Sequence, residues 1–115
     1  MLDIDLFKMV NDTYGHLVGD VVLITAAKTL NRVKRKEDFV FKYCGDEFFI
    51  LLQNTPLAGA NELAEGLLET VEKITVPKVR KISISLGFSE YQSNETIDEF
   101  VNRVDQIMYI SRQKK

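Results

Sequence analysis

The apolar positions of this chain change their period as it runs, and each period predicts an element. Val22, Ala26, Leu30 and Val33 recur at helical spacing, which predicts an amphipathic helix from about Val21 to Val33 with Asp20 as its N-cap. A second stripe, Ala60, Leu63, Ala64, Leu67, Val71 and Ile74, follows the polar loop Gln53-Asn54-Thr55-Pro56, with Glu62, Glu65, Glu69 and Glu72 facing out. A third runs through Ile97, Val101, Val104 and Met108, helped by Phe100 and Ile107. It opens at Thr96-Ile97-Asp98-Glu99, the spacing of a capping box, and Asp105, Tyr109 and Arg112 flank its apolar seam. Elsewhere the period drops to two. From Lys81 to Phe88, beyond the break at Pro77, Ile82, Ile84, Leu86 and Phe88 alternate with Ser83, Ser85 and Gly87. That predicts a strand with one bulky face and one small face, against which a helix could pack closely. Phe39-Val40-Phe41 and Ile50-Leu51-Leu52 flank a short segment with Gly45 and Asp46, which reads as a β-hairpin. Near the start, Leu6 to Tyr14 predicts a short helix capped by Asp5 and closed by Gly15, with Asp3 at a strand end just before it.

Strands and helices in this order fit one α/β domain, and 115 residues with 45% apolar content suffice for a single core. A net charge of −2 gives no electrostatic footprint for duplex nucleic acid. No apolar run approaches the roughly 20 residues needed to cross a bilayer, and signal-peptide anatomy is absent, so the expected location is the cytoplasm. With Cys44 as the only cysteine, no internal disulfide can form, which suits a reducing compartment.

The candidate chemistry lies at the loops. The hairpin turn lifts two adjacent carboxylates, Asp46 and Glu47, to the tip of an apolar ribbon, where they could converge on one hard cation or simply form a polar turn. Asp3, at a strand-to-helix junction, stands where a metal bound to phosphate oxygens would be held. Lys8 could meet a phosphate as a point charge, and Asn11 carries a donor and an acceptor suited to a base edge. The plainer alternative is a capped helix with solvated polar residues, and for Lys8 taken alone that alternative is favoured. His16, the only histidine, falls between Gly15 and Gly19, where a local hydrogen bond is its commonest use. The charged run from Asn31 to Asp38 is a solvated connection unless Arg35 and Asp38 form a pair able to grip a guanine and a phosphate.

Together these segments resemble the GGDEF domains of bacterial diguanylate cyclases. The similarity runs from Asp3 to Arg112 through DIDLFKMVNDTYGH, Gly19-Asp20, Arg35-Lys36-Glu37-Asp38, CGDEF, SISLGFS and VDQIMYISR, in that order. The resemblance implies a fold related to nucleotidyl cyclases and polymerase palms, a mainly antiparallel central sheet flanked by helices. It implies that two subunits, each holding one GTP, join face to face as a homodimer and make cyclic di-GMP with release of two pyrophosphates. Carried onto this sequence, Asp3, the Ile4 carbonyl, Asp46 and Glu47 would hold magnesium, with manganese as a substitute. Asp46 would also be the general base and Lys8 would stabilise phosphate charge. Asn11 and Asp20 would read the guanine with His16 nearby, and Arg112 would meet a phosphate. Arg35 and Asp38 match the family's RxxD inhibitory site for the product. An upstream sensory domain is the expected partner, and a membrane anchor would have to lie outside this sequence.

The chain departs from the family pattern at three places. Cys44 replaces the first glycine of the hairpin motif, which would cost roughly 1–2 kcal/mol if that position needs a left-handed backbone. Arg112 stands where a lysine is usual, keeping the charge but changing its geometry. The motif at Asp3 begins two residues into the sequence, so a domain lacking the start of its first strand and its extreme C-terminus is expected. The alternative to a working cyclase is a weak or inactive domain that binds GTP or cyclic di-GMP and signals through protein contacts. A redox role for Cys44 has little support, because a hairpin offers nothing to depress a thiol pKa.

Overall fold

The computed structural model describes residues 1–74, 76–79 and 82–114. Four strands and four helices follow one another along them: β1 (Leu2–Ile4), α1 (Phe7–Tyr14), α2 (His16–Val33), β2 (Phe39–Cys44), β3 (Glu47–Leu51), α3 (Leu57–Glu72), β4 (Ile84–Leu86) and α4 (Ile97–Gln113). The strands form one antiparallel sheet in the order β2-β3-β1-β4. The fold is thus the mixed α/β arrangement implied by the family resemblance, a central antiparallel sheet flanked by helices.

Strand alternation divides the sheet into two chemically different faces. Leu2 pairs with Phe48 and Leu86, and Ile4 pairs with Ile84. These residues join Val10 of α1, Val22, Ala26 and Leu30 of α2, and Leu67 and Val71 of α3 in the main core. The other face carries Asp3, which pairs with Glu47 on one side and Ser85 on the other. Helix α4 covers that face through Val104 and Met108, both buried. It comes in close because of Gly87, where a Cβ would lie 2.6 Å from the Val104 carbonyl. The small face expected of the segment after Pro77 therefore does admit a helix, although the regular strand is only Ile84–Leu86 and Lys81 lies outside the described residues.

Several boundaries differ from the sequence reading. Helix α2 begins at His16, because Gly15 at φ 93° reverses the chain directly between α1 and α2. His16 is therefore the first residue of α2 rather than a loop residue, and Asp20 sits inside the helix rather than capping it. Gly19 lies inside α2 and serves packing, since a Cβ there would overlap the Asn11 amide. Asp5 does not cap α1: the N-cap is Leu6, in the left-handed region at φ 55° and without a side-chain cap. The capping box of α4 forms as read, Thr96 accepting from the Glu99 amide and Glu99 from the Thr96 amide. Its first apolar residue, Ile97, is 75% exposed and takes no part in the core.

Candidate active site

The hairpin tip is a two-residue turn, Gly45-Asp46, closed by the pairing of Cys44 with Glu47. The left-handed residue is Gly45, at φ 51°, and a register shift between Lys42 and Cys44 bends the outer strand just before it. Cys44 is exposed and is not among the residues of positive φ, so its Cβ meets no left-handed backbone. The strain expected of a cysteine at this position is absent. The Asp46 carbonyl accepts from the Ile4 amide at 3.2 Å, which ties the tip of the hairpin to the end of β1.

That tie fixes an acidic cluster. Asp3 and Glu47 are opposed residues of neighbouring strands, and Asp105 approaches Glu47 from α4. Burial, then Asp105 and Asp46, push the Glu47 carboxyl above its ordinary pKa. An open cleft of about 430 Å³ lies here, lined by Asp3, Glu47, Asp105, Tyr109 and Arg112 among others. Asp105, Tyr109 and Arg112 follow one another at helical spacing, so a single face of α4 supplies this wall. The Arg112 guanidinium is paired with Asp3 Oδ2, and its Nε stands 4.0 Å from Asp5 Oδ1. Asp3 is 6% exposed, and its Oδ1 has no hydrogen-bond partner among the described residues.

Asp5 is a site-shaping residue that the sequence reading assigned to another job. Its two carboxylate oxygens accept from Ser83 Oγ and Ser85 Oγ, each at 2.6 Å. The left-handed turn at Leu6 leaves the Asp5 side chain on the sheet rather than over the first turn of α1. The clamp thereby joins the β1–α1 junction to β4. The signal was the Ser83/Ser85 alternation, but nothing local connects it to Asp5. Asp105 was visible only as a polar position beside the α4 seam.

The remaining candidates fall into two groups. Asn11 lies in the crease between α1 and α2 against Gly19, beside the exposed Asp20, with the exposed His16 at the start of α2 and the exposed Lys8 on α1. Arg35 and Asp38 lie elsewhere, just before β2, so the six residues of that strand separate them from the hairpin tip by roughly 20 Å. Arg35 donates from Nε and Nη2 to the two oxygens of Asp38, both at 2.8 Å. It also donates to the Gln53 carbonyl at 3.3 Å and to Thr55 Oγ1. The Asp38 side chain is fully buried, whereas Arg35 keeps 40% of its side chain exposed. This fork holds the Asp38 carboxyl below the ordinary carboxylate range despite its burial.

Among the described residues, no three His, Cys, Asp or Glu side chains form a ready-made metal cage. The cluster nonetheless fits a hard divalent cation. Asp3 Oδ1 is buried and unpartnered, Glu47 is opposed to it, and the surrounding charge is mostly negative. Magnesium in nucleotide sites uses one or two carboxylates and leaves its other positions to water and phosphate.

Comparison with known proteins agrees with this geometry. The family description "Diguanylate cyclase, GGDEF domain" matches residues 1–115. Diguanylate cyclase DgcM of Escherichia coli K12 is 42% identical over 109 residues, covering 95% of this chain and 27% of DgcM. Diguanylate cyclase A of Treponema denticola is 38% identical over 117 residues, covering 98% of this chain and 32% of that protein. The chain thus spans about a third or less of the length of these relatives. Among solved structures, diguanylate cyclase SiaD of Pseudomonas aeruginosa, in complex with its activator SiaC, superposes with a TM-score of 0.92 at 32% identity. The match covers 98% of this chain and 45% of SiaD. The GGDEF domain of DgcB from Caulobacter crescentus, in complex with c-di-GMP, gives 0.90 at 30% identity, covering 98% of this chain and 70% of that one. With the acids at the tip of a CGDEF hairpin and a likeness that runs the length of the chain, the protein belongs to the GGDEF domain family of diguanylate cyclases.

Proposed function

We propose that the domain condenses two GTP molecules into cyclic di-GMP and two pyrophosphates, working as a homodimer. The observation that carries this reading is the opposed pair Asp3 and Glu47 at the mouth of an open cleft, with Arg112 as the facing cation. Asp3, the Ile4 carbonyl, Asp46 and Glu47 would hold magnesium or manganese, which supplies Lewis-acid stabilisation of charge on the phosphates. The chain's own groups do the rest. Asn11 and Asp20 fix the guanine in the crease between α1 and α2, with His16 beside it, while Lys8 and Arg112 neutralise phosphate charge. Asp46 accepts the proton of the attacking 3′-hydroxyl. That oxygen then bonds to the α-phosphorus of the other GTP as pyrophosphate leaves, and a second, equivalent attack closes the ring. One cleft holds one substrate, so the attacking hydroxyl must come from a second subunit.

Arg35 and Asp38 serve in this scheme as the inhibitory product site. Its support is placement: the pair sits at the far end of the hairpin from the acids, with Asp38 buried and Arg35 presented to solvent by the fork. An upstream sensory domain is the proposed partner, and the chain covers 27% and 32% of two longer relatives. No helix among the described residues is long and apolar enough to cross a membrane.

The test is GTP turnover with magnesium, with the product identified by chromatography and Asp46→Asn as control. Cyclic di-GMP made by the parent, lost in the variant and falling with the square of dilution is the expected result. No product, together with saturable cyclic di-GMP binding that Arg35→Ala abolishes, would instead make the domain a receptor.

A further inference from the structure

Arg112 is not held as a waiting phosphate ligand would be. Its guanidinium is drawn into the acidic cluster, paired with Asp3 Oδ2 and 4.0 Å from Asp5 Oδ1 at its Nε. The pairing is half-satisfied, since Arg112 Nε and Asp3 Oδ1 are both buried without a hydrogen-bond partner among the described residues. Such a pair is poorly compensated for its desolvation and is correspondingly easy to displace. Without it, Asp3 and Glu47 would face Asp105 and Asp46 with no cation from the described residues lining the cleft, and Glu47 already carries their repulsion. A guanidinium on Asp3 Oδ2 and a hard cation at the unpartnered Oδ1 compete for the single negative charge of one carboxylate.

We propose that Arg112 is an internal counter-ion that fills the cation position of the ligand-free domain and is released to the nucleotide's phosphates when a divalent cation takes Asp3. The proposal rests on the cyclase reading of the cleft. Metal alone displaces Arg112 from Asp3 and leaves it only the more distant Asp5 carboxylate. Metal with nucleotide displaces it onto an anion. One side chain thereby couples the two ligands, and the coupling is reciprocal. Low affinity for free metal, high affinity for the metal–nucleotide complex, follows from a single swing of one arginine.

The test is the affinity for Mn²⁺, read by electron paramagnetic resonance, with and without a non-reactive α,β-methylene analogue of GTP. Removing the competing cation in Arg112→Gln raises the affinity for Mn²⁺ alone by about tenfold, and removing the phosphate contact lowers that for Mn²⁺ with the analogue by about tenfold. Arg112→Lys, which keeps a shorter-reaching cation, falls between, and Asp3→Asn abolishes binding of Mn²⁺ alone. Opposite signs in the two states are a signature that a merely structural arginine would not produce. Circular dichroism melts establish that each variant is folded. An unchanged or reduced affinity for Mn²⁺ alone in folded Arg112→Gln overturns the counter-ion role, while GTP turnover by the parent leaves the cyclase reading standing. Absence of both Mn²⁺ binding and turnover in the parent removes both.

Discussion

Asp3 and Glu47 stand directly opposite one another on β1 and β3, so two carboxylates share one sheet face at the roughly 5 Å spacing of paired strands. Glu47 is pushed above its ordinary pKa by burial and by Asp105 and Asp46, so its ionised form opposes folding. Replacing it with glutamine should stabilise the metal-free domain by about 0.5–1 kcal/mol near neutral pH, the size of an opposed like-charge pair. The same change should abolish cyclic di-GMP synthesis. Urea unfolding and a turnover assay on one preparation check both halves; loss of stability would contradict the electrostatic account of this cluster.

Gly87 sets the distance between β4 and α4. An alanine there would run into the backbone of α4 at Val104 and Met108, neither of which can rotate away. Gly87→Ala should cost about 1–3 kcal/mol, as overpacking does. It should also lower turnover through displacement of Arg112, seen as a raised KM for GTP.

Asp38 is buried and held by the Arg35 fork, with a further bond from the Arg35 amide at 3.2 Å. Asp38→Asn should destabilise by about 1–3 kcal/mol, because a charged hydrogen-bonded partner is lost. The sign of the pH dependence follows from the depressed folded-state pKa. The gap between parent and variant should be complete above the unfolded value of 3.8, shrink as pH falls below it, and close beneath the folded value. Urea midpoints across acid pH measure the gap, and a gap that widened on acidification would refute the assignment.

Cys44 and Gly45 should respond in opposite ways to substitution. Cys44 is exposed strand, so Cys44→Gly should change stability by no more than about 1 kcal/mol, in the destabilising direction, and leave turnover near the parent's. Gly45 occupies the left-handed region, so Gly45→Ala should cost about 1–2 kcal/mol although open space surrounds it. Thermal melts of the two variants decide the order.

Asp5 should behave as a positioning residue. Asp5→Ala leaves two part-buried serine hydroxyls without their carboxylate and should cost about 2–3 kcal/mol. The expected kinetic effect is a fall in kcat larger than the rise in KM, because the β1–α1 junction moves while the guanine crease stays in place. An effect on KM alone would assign Asp5 to substrate binding instead.

The sequence by itself determined the elements whose signals are local. The α4 capping box needs only Thr96 and Glu99, three residues apart, and both halves form. The alternation after Pro77 and the apolar runs around Gly45 are likewise short-range, and each motif of the family is a local string whose order along the chain needs no folding to be read. Boundaries set by glycine were less legible. Gly15 and Gly19 look alike in sequence, yet one reverses the chain and the other admits Asn11, a difference fixed by what packs against each. The acidic residues of the candidate site were visible as types, but their partners were not. Asp5 meets serines about 80 positions away, and Arg112 meets Asp3 across nearly the whole chain. Such pairings carry no local signal, because they depend on how antiparallel strands and a covering helix bring distant residues onto one face. Only the tertiary structure decided them.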